Sequence, residues 1–330
     1  MSLFAPTVSS FWRQIEDCGI ASEPLFRKYG VSESTLFDPN ARVSDLVIDQ
    51  VTAEVVELSG DPFFGLKEEK YFLPSHMGPL GFAWLASTSL LSALERLQRY
   101  IKVIHEKLQM TISDEQGSLV ISLLLESPLA NVNHRDDAQL AILTRMCRYI
   151  SGDDWNPTLV TVAHPPPTDT SYYFQLFRCP VKFNAEQNSL HINKLQAEKR
   201  LTGSNKQLAQ LNDHIVVRYL ASQAKDDIVN RVKTDILENL GQGKVTERNI
   251  AGNLHMSPRH LNRKLSAQNT SFKALLLEIR SELASQYIHD ATLTLTEISY
   301  QLGFSEVSSF SRAYKRWTGQ SPSNARRTQV

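Results

Sequence analysis

The 330 residues predict an α/β N-terminal domain followed by an all-α C-terminal domain with two helix-turn-helix units joined by a long helix. Three observations predict it. A pattern of short helix, tight turn and second helix occurs twice after about Arg231. The charge is split between the two ends of the chain. Before residue 200, alternating strand patterns, one of them a hairpin, mix with helical periodicity.

The first C-terminal unit runs Thr246–Leu254, breaks at His255-Met256 and resumes over Ser257–Leu265. The second runs Thr294–Leu302, breaks at Gly303-Phe304 and resumes over Ser305–Trp317. Ser257 suits an N-cap with Pro258 at the first helical position, where a missing N–H costs nothing. Thr294 and Glu297 have capping-box spacing. Gly303 suits a left-handed turn, Ser305 is expected to cap the next helix, and Gly319 with Pro322 should stop it. Apolar residues recur at helical spacing, as in Ile250 and Leu254, Leu261 and Leu265, Ile298 and Leu302, and Phe310, Tyr314 and Trp317. Phe272–Ile288 reads as the helix that fixes the separation of the units. A single pair of this kind fits ordinary packed amphipathic helices equally well. Two in tandem, each with a polar and partly basic outer face, have the shape that reads DNA.

The chain balances at 35 basic and 35 acidic side chains, but from Arg231 onward there are 14 basic against 8 acidic, leaving 21 against 27 before it. A basic module on an acidic one fits a phosphate-binding surface at one end only.

Over residues 1–200, Leu90–His105 is an amphipathic helix, and Leu108–Ser113, a turn at Asp114–Gly117 and Ser118–Leu125 form a hairpin. Asp136–Ile150 is helical, Leu159–Ala163 is strand-like, and Val181–Phe183 and Leu190–Ile192 are short strands around a turn at Asn184–Ser189. A long helical stretch follows from Lys206 to about Leu240, with one stripe of Leu208, Leu211, Ile215 and Tyr219 and another of Ile228, Val232, Ile236 and Leu240. The first stripe fits a dimerisation helix and fits packing on its own N-terminal domain equally. Gly241-Gln242-Gly243 reads as a hinge. The domains are therefore expected at 1–203, a helical linker at 204–230, and 231–330.

The C-terminal hundred residues resemble the DNA-binding domain of the AraC family of bacterial transcription regulators. His255–Leu265, Thr270–Phe272, Glu297–Phe304 and Phe310–Pro322 carry the likeness. The family usually has an aromatic residue shortly after that Ser-Pro, where Ala325 stands here. The remainder resembles the effector domain of an AraC subgroup with an arabinose-binding-type N-terminal domain, through Asp38–Val43, Ser59–Leu66, Gly78–Phe82 and Ala163–Pro167. The resemblance implies a cytoplasmic regulator, working as a homodimer on double-stranded DNA with RNA polymerase. Its N-terminal domain would bind a small-molecule effector, an amino acid or another small carboxylate.

Arginine grips guanine bidentately and asparagine does so with adenine, which makes Arg259, Asn262 and Arg263 the base-contact candidates of the first unit. Val307, Ser308 and Arg312 are their chemically weaker counterparts in the second. Thr246, Ser271, Lys315, Arg316 and Arg326 suit phosphates. For the effector, His76, Trp84, Tyr100 and Arg145 are candidates, with His105, Trp155 and His164 behind them, and nothing in their spacing selects a set. Cys18, Cys147 and Cys179 lack metal-ligand spacing and read as buried thiols, so neither metal nor cofactor is expected. No cysteine has a motif-placed histidine, and no phosphate loop or nucleophile elbow is present, which argues against an enzyme. No run of 18 apolar residues suits a membrane span, and the start lacks a secretory signal pattern.

Overall fold

A computed structural model describes residues 2–125, 133–223, 228–242, 245–288 and 293–327. They form two compact units, Met1–Val216 and Val217–Val330.

The first unit opens with strand β1 (Ser2–Phe4) and helices α1 (Val8–Asp17), α2 (Ser22–Arg27) and α3 (Glu33–Leu36). Strand β2 (Arg42–Ser44) and helices α4 (Asp45–Ser59), α5 (Phe64–Lys67), α6 (Pro79–Leu85) and α7 (Leu90–Ile104) follow. β1 and β2 pair antiparallel. Around them Phe11, Trp12, Ile15, Phe26, Val51, Val55 and Phe64 are buried together in one apolar core.

The second half of this unit carries β3 (Leu108–Glu115), β4 (Ser118–Leu125), α8 (Asn133–Ser151), β5 (Leu159–Thr161), α9 (Ser171–Phe177), β6 (Val181–Lys182), β7 (Asn188–Asn193) and α10 (Lys194–Glu198). The sheet order is β3-β4-β7-β5-β6, with only β5 and β6 parallel. The hairpin and the helices over 90–105 and 136–150 occur as the pattern predicts. Gln116 and Gly117 both have positive φ, the conformation a two-residue hairpin turn needs. β5 ends two residues before Ala163, and β7 begins at Asn188, inside the expected turn.

The helical stretch after Lys206 consists of α11 (Lys206–Gln223) and α12 (Ile228–Asn239), followed by a 3-10 turn over Leu240–Gln242. Residues 224–227 of the expected linker and Gly243 of the expected hinge lie outside the described residues. The boundary between the units falls within α11, after Val216. The second unit then adds α13 (Glu247–Asn253), α14 (Pro258–Ala267), α15 (Phe272–Tyr287), α16 (Leu295–Gln301), α17 (Val307–Thr318) and α18 (Pro322–Arg327). The stripe Ile228, Val232, Ile236 and Leu240 is buried with Leu261, Leu265, Ile279, Ile298 and Phe310 in one core. Ala325 is buried in the same core without an aromatic ring.

The three thiols differ. Cys147 is buried as expected, but Cys18 is exposed and Cys179 lies between. Apolar packing of α1 therefore does not extend to its end, where Cys18 caps the helix. Among the described residues no helix is long and apolar enough to cross a membrane.

Candidate functional site

In the second unit the helix ends follow the local chemistry. Ser257 Oγ accepts the His260 N–H, with Pro258 at the first position of α14. Thr294 and Glu297 close a capping box on α16, with the Thr294 N–H donating to Glu297 Oε2 at 2.7 Å. One cap shifts. The N-cap of α17 is Glu306, not Ser305, and it makes no side-chain cap bond.

The turns between helices differ in strain. His255, between α13 and α14, has φ 56°, whereas Gly303, between α16 and α17, has φ 70°. A β-carbon on Gly303 would lie 2.6 Å from the Leu240 carbonyl oxygen, so this position needs glycine for both conformation and space. Arg280 on α15 secures the same turn. It donates through Nε to Leu302 O at 2.8 Å and through Nη2 to Gly303 O at 2.7 Å, and its guanidinium lies 4.4 Å from the centre of the Phe304 ring. No sequence pattern distinguished Arg280 from the surface arginines, although its four neighbours at helical spacing, Leu276, Leu277, Leu283 and Ala284, are apolar.

α14 buries Leu261 and Leu265 and leaves Arg259, Asn262 and Arg263 exposed on the other side. Asn262 donates to Glu247 Oε1 at 2.6 Å, a surface contact that holds its amide. On α17, Phe310 and Tyr314 are buried, Ser308 and Arg312 are exposed, and Val307 is half-buried. Ser308 bonds Glu306 at 3.0 Å and Arg312 bonds Ser309 at 3.3 Å. Thr246 and Ser271 cap α13 and α15, each accepting a backbone N–H, so each hydroxyl hydrogen remains as a donor. Lys315 and Arg316 are exposed. Arg326 is the exception. Its guanidinium donates to Ile288 O at 3.0 Å and also to Leu293 O, which ties α18 to the end of α15. These internal bonds take Arg326 out of the expected phosphate set.

The first unit contains a pocket of about 170 Å³ with a largely apolar lining from α1, α4, α5, α7, α8 and the hairpin. None of the effector candidates His76, Trp84, Tyr100 and Arg145 lines it, and each has other work. His76 accepts the Leu73 N–H through Nδ1 and meets the Phe72 ring edge-on. Trp84 is buried and donates to Met146 O at 2.9 Å. Tyr100 is buried in the core. Arg145 stacks 4.7 Å from the Tyr149 ring and sits 3.8 Å from Glu69 Oε2. His164, a weaker candidate, is held between Asp137 Oδ1 and the Pro165 carbonyl, and Tyr173 donates to the other Asp137 oxygen. Both His164 nitrogens thus face acceptors, which favours the imidazolium form. Burial lowers its pKa, but the Asp137 hydrogen bond raises it further, and the net shift is upward.

His105 does line the pocket. Its Nδ1 accepts the N–H groups of Lys107 and Leu108, so the ring proton is on Nε2, 2.7 Å from Asp45 Oδ1. Arg135 donates to Asp49 Oδ1 at 2.5 Å and lies 3.6 Å from Asp45 Oδ1. Burial opposes the charged form of Asp45, yet the His105 bond and the nearby Arg135 hold its carboxyl below the ordinary range. Glu68 also lines the pocket and accepts from Ser10 Oγ at 2.7 Å. Desolvation pushes its pKa up to about 7, against the Ser10 bond and Arg135. Sequence reasoning missed Asp45, Asp49, Glu68, His134 and Arg135. One signal was available: Asp45 and Asp49, four apart, share the face of α4 that carries Ile48, Val51 and Val55.

Comparison with known proteins gives this geometry its context. The arabinose-binding domain of AraC transcription regulators matches residues 19–200, and a helix-turn-helix domain matches residues 250–328. The chain belongs to the AraC family of transcription regulators. It is similar to the ornithine utilization regulator of Pseudomonas aeruginosa, 28% identical over 92% of this chain and 93% of that one. It is also similar to the transcriptional regulator VirS of Mycobacterium tuberculosis, 23% identical over 93% and 91%. The crystal structure of the regulator CdpR from P. aeruginosa aligns over 96% of this chain and 98% of its own, at 17% identity and TM-score 0.48. This AraC-family chain is a transcription regulator with a DNA-binding helix-turn-helix domain.

Proposed function

We propose that this AraC-family protein reads its operator with two helix-turn-helix units, α13–α14 and α16–α17, held apart by α15, and that a small molecule in the first unit's pocket controls it. The observation that carries the DNA reading is α14, which buries its leucines and turns Arg259, Asn262 and Arg263 outward. In a major groove the two arginines can donate bidentately to guanine, while Asn262 can donate to adenine N7 and accept from its N6 amino group. Val307, Ser308 and Arg312 on α17 discriminate less, because valine meets only a thymine methyl and serine is ambiguous. Thr246, Ser271, Lys315 and Arg316 take phosphates and set register. The functional modules are residues 1–216 and 217–330, so a C-terminal fragment must keep Ile228, which a start at Arg231 would remove from its core.

Control by a ligand is supported by the pocket and by one buried link. Arg96 on α7, the helix that lines the pocket with Leu97, Ile101 and Ile104, donates to Asp213 on α11 at 2.7 Å. α11 then runs on toward the DNA-binding unit, so a shift of α7 reaches it and changes how that unit is presented. On α11, Leu208 and Leu211 are 44% and 57% exposed, which favours the dimerisation reading of that stripe over packing on its own domain. Work in the cytoplasm as a homodimer that activates transcription with RNA polymerase completes the proposal.

The test is binding of the intact protein to its own upstream DNA by fluorescence anisotropy, with and without a metabolite panel. An affinity or footprint that changes with one metabolite supports ligand control. Tight, specific binding that none of them alters favours instead a constitutive DNA-binding regulator with a degenerate or protein-controlled sensor domain.

A further inference from the structure

We infer that the pocket takes an amine: a compact apolar body, of benzene-ring scale, carrying one protonated amino group that is held at Glu68. This rests on the reading of the pocket as the effector site and names the ligand's chemistry. Size and lining come first. A cavity of about 150 Å³ lined by Leu, Ile and Phe binds benzene, and this one measures about 170 Å³ with Phe11, Ile101, Leu123 and Ile142 among its walls.

Charge decides the polar group. Among the described lining residues Glu68 is the one carboxylate and Arg135 the one guanidinium, and Arg135 is already engaged by Asp45 and Asp49, which lie outside the lining. His105 adds no charge, since Nδ1 is occupied by two amide N–H groups. With Arg135 engaged by the aspartates, an anionic ligand would be desolvated beside Glu68 with no cation to pair with, whereas an ammonium pairs with the Glu68 carboxylate. Hydrogen bonding agrees. Among the described residues Glu68 has one hydrogen-bond partner, Ser10 at Oε1, which leaves Oε2 to a ligand. His134, another lining residue, has a buried Nδ1 without a partner. Gly65 lets α5 approach α8 closely, since a β-carbon there would lie 2.0 Å from the His134 backbone carbonyl oxygen, and both Glu68 and His134 line the pocket. An ammonium group offers three donors and no acceptor, which suits a carboxylate oxygen and a neutral imidazole nitrogen. The amino-acid and carboxylate classes implied by the family resemblance lack an available arginine here.

The test is calorimetric titration of the full chain with three probes of one shape: 2-phenylethylamine, 2-phenylethanol and phenylacetate. The expected order is amine, alcohol, acid, with the amine at least about tenfold tighter than the alcohol. Glu68→Gln is expected to remove that advantage and bring amine and alcohol to similar affinity. A measurement on the unaltered protein is independent of how the variant folds. Because Glu68 titrates near pH 7 beside Arg135 and His134, amine affinity is expected to rise about tenfold from pH 6 to pH 8. Phenylacetate binding tighter than the amine, a flat pH profile, or binding by none of the probes overturns the inference. Should the amine fail while another metabolite alters DNA binding, effector control stands and only this ligand class falls. Should the amine bind and leave DNA affinity unchanged, the ligand class stands and control through this pocket falls.

Discussion

Glu68 shows how a single residue couples the pocket to stability. Burial raises its pKa from the ordinary 4.5 to about 7, so the folded chain favours the neutral carboxyl. The stability this contributes is fully present below about pH 4.5 and is lost as pH rises through about 7. The loss is on the order of 3 kcal/mol. His164, whose pKa is also raised, acts in the same direction. The quantity to measure is therefore the stability difference between the wild type and Glu68→Gln, in which His164 cancels. Denaturant unfolding at pH 5 and pH 8 should show the variant gaining on the wild type at the higher pH, and a constant gap would refute the assignment. At the other end of the chain, Arg280 makes two charge-assisted bonds to turn carbonyls. Arg280→Ala should cost about 2–3 kcal/mol, with little rescue by lysine, which cannot span both carbonyls and stack on Phe304. Thermal unfolding that finds the lysine variant equal to wild type would count against this role.

At the scale of elements, the two turns make opposite predictions. Gly303→Ala should destabilise by more than about 1 kcal/mol, because the backbone is left-handed and the Leu240 carbonyl blocks a β-carbon. His255→Gly should leave stability unchanged or raise it by about 1 kcal/mol, since His255 bears the left-handed conformation without glycine's freedom. These helix ends were legible because caps and stops are local chemistry: Ser257 with Pro258, Thr294 with Glu297, and Gly319 each act within a few residues. The pocket was not legible. Its polar groups come from Glu68, His105, His134 and Arg135, brought together only by packing, and a charged residue destined for burial looks in sequence like a surface one. Hence aromatic and basic residues such as Trp84 and Arg145 stood out, and both serve the surrounding fold instead. Arg326 was misread for the same reason: its two carbonyl partners, Ile288 and Leu293, lie more than thirty residues away. On α11, Leu211→Glu should shift the protein toward monomer in sedimentation without unfolding it, because Leu211 is already exposed. An unchanged oligomeric state would remove this face from the dimer.

At the scale of the whole molecule, the division of charge and the division of structure coincide in outline. The end with 14 basic against 8 acidic side chains is the helical, DNA-binding one, although Arg280 and Arg326 spend their charge on internal carbonyls. What remains outward is concentrated on α14 and α17, and the account rests on α14 carrying most of the sequence discrimination. The most direct test is a specificity profile over randomised operator variants for the wild type, Arg263→Ala and Lys315→Ala. The account predicts that Arg263→Ala loses about 1–3 kcal/mol of preference at one position, while Lys315→Ala weakens all sequences alike and lowers the salt slope by about one. Indistinguishable profiles for the two variants would contradict it.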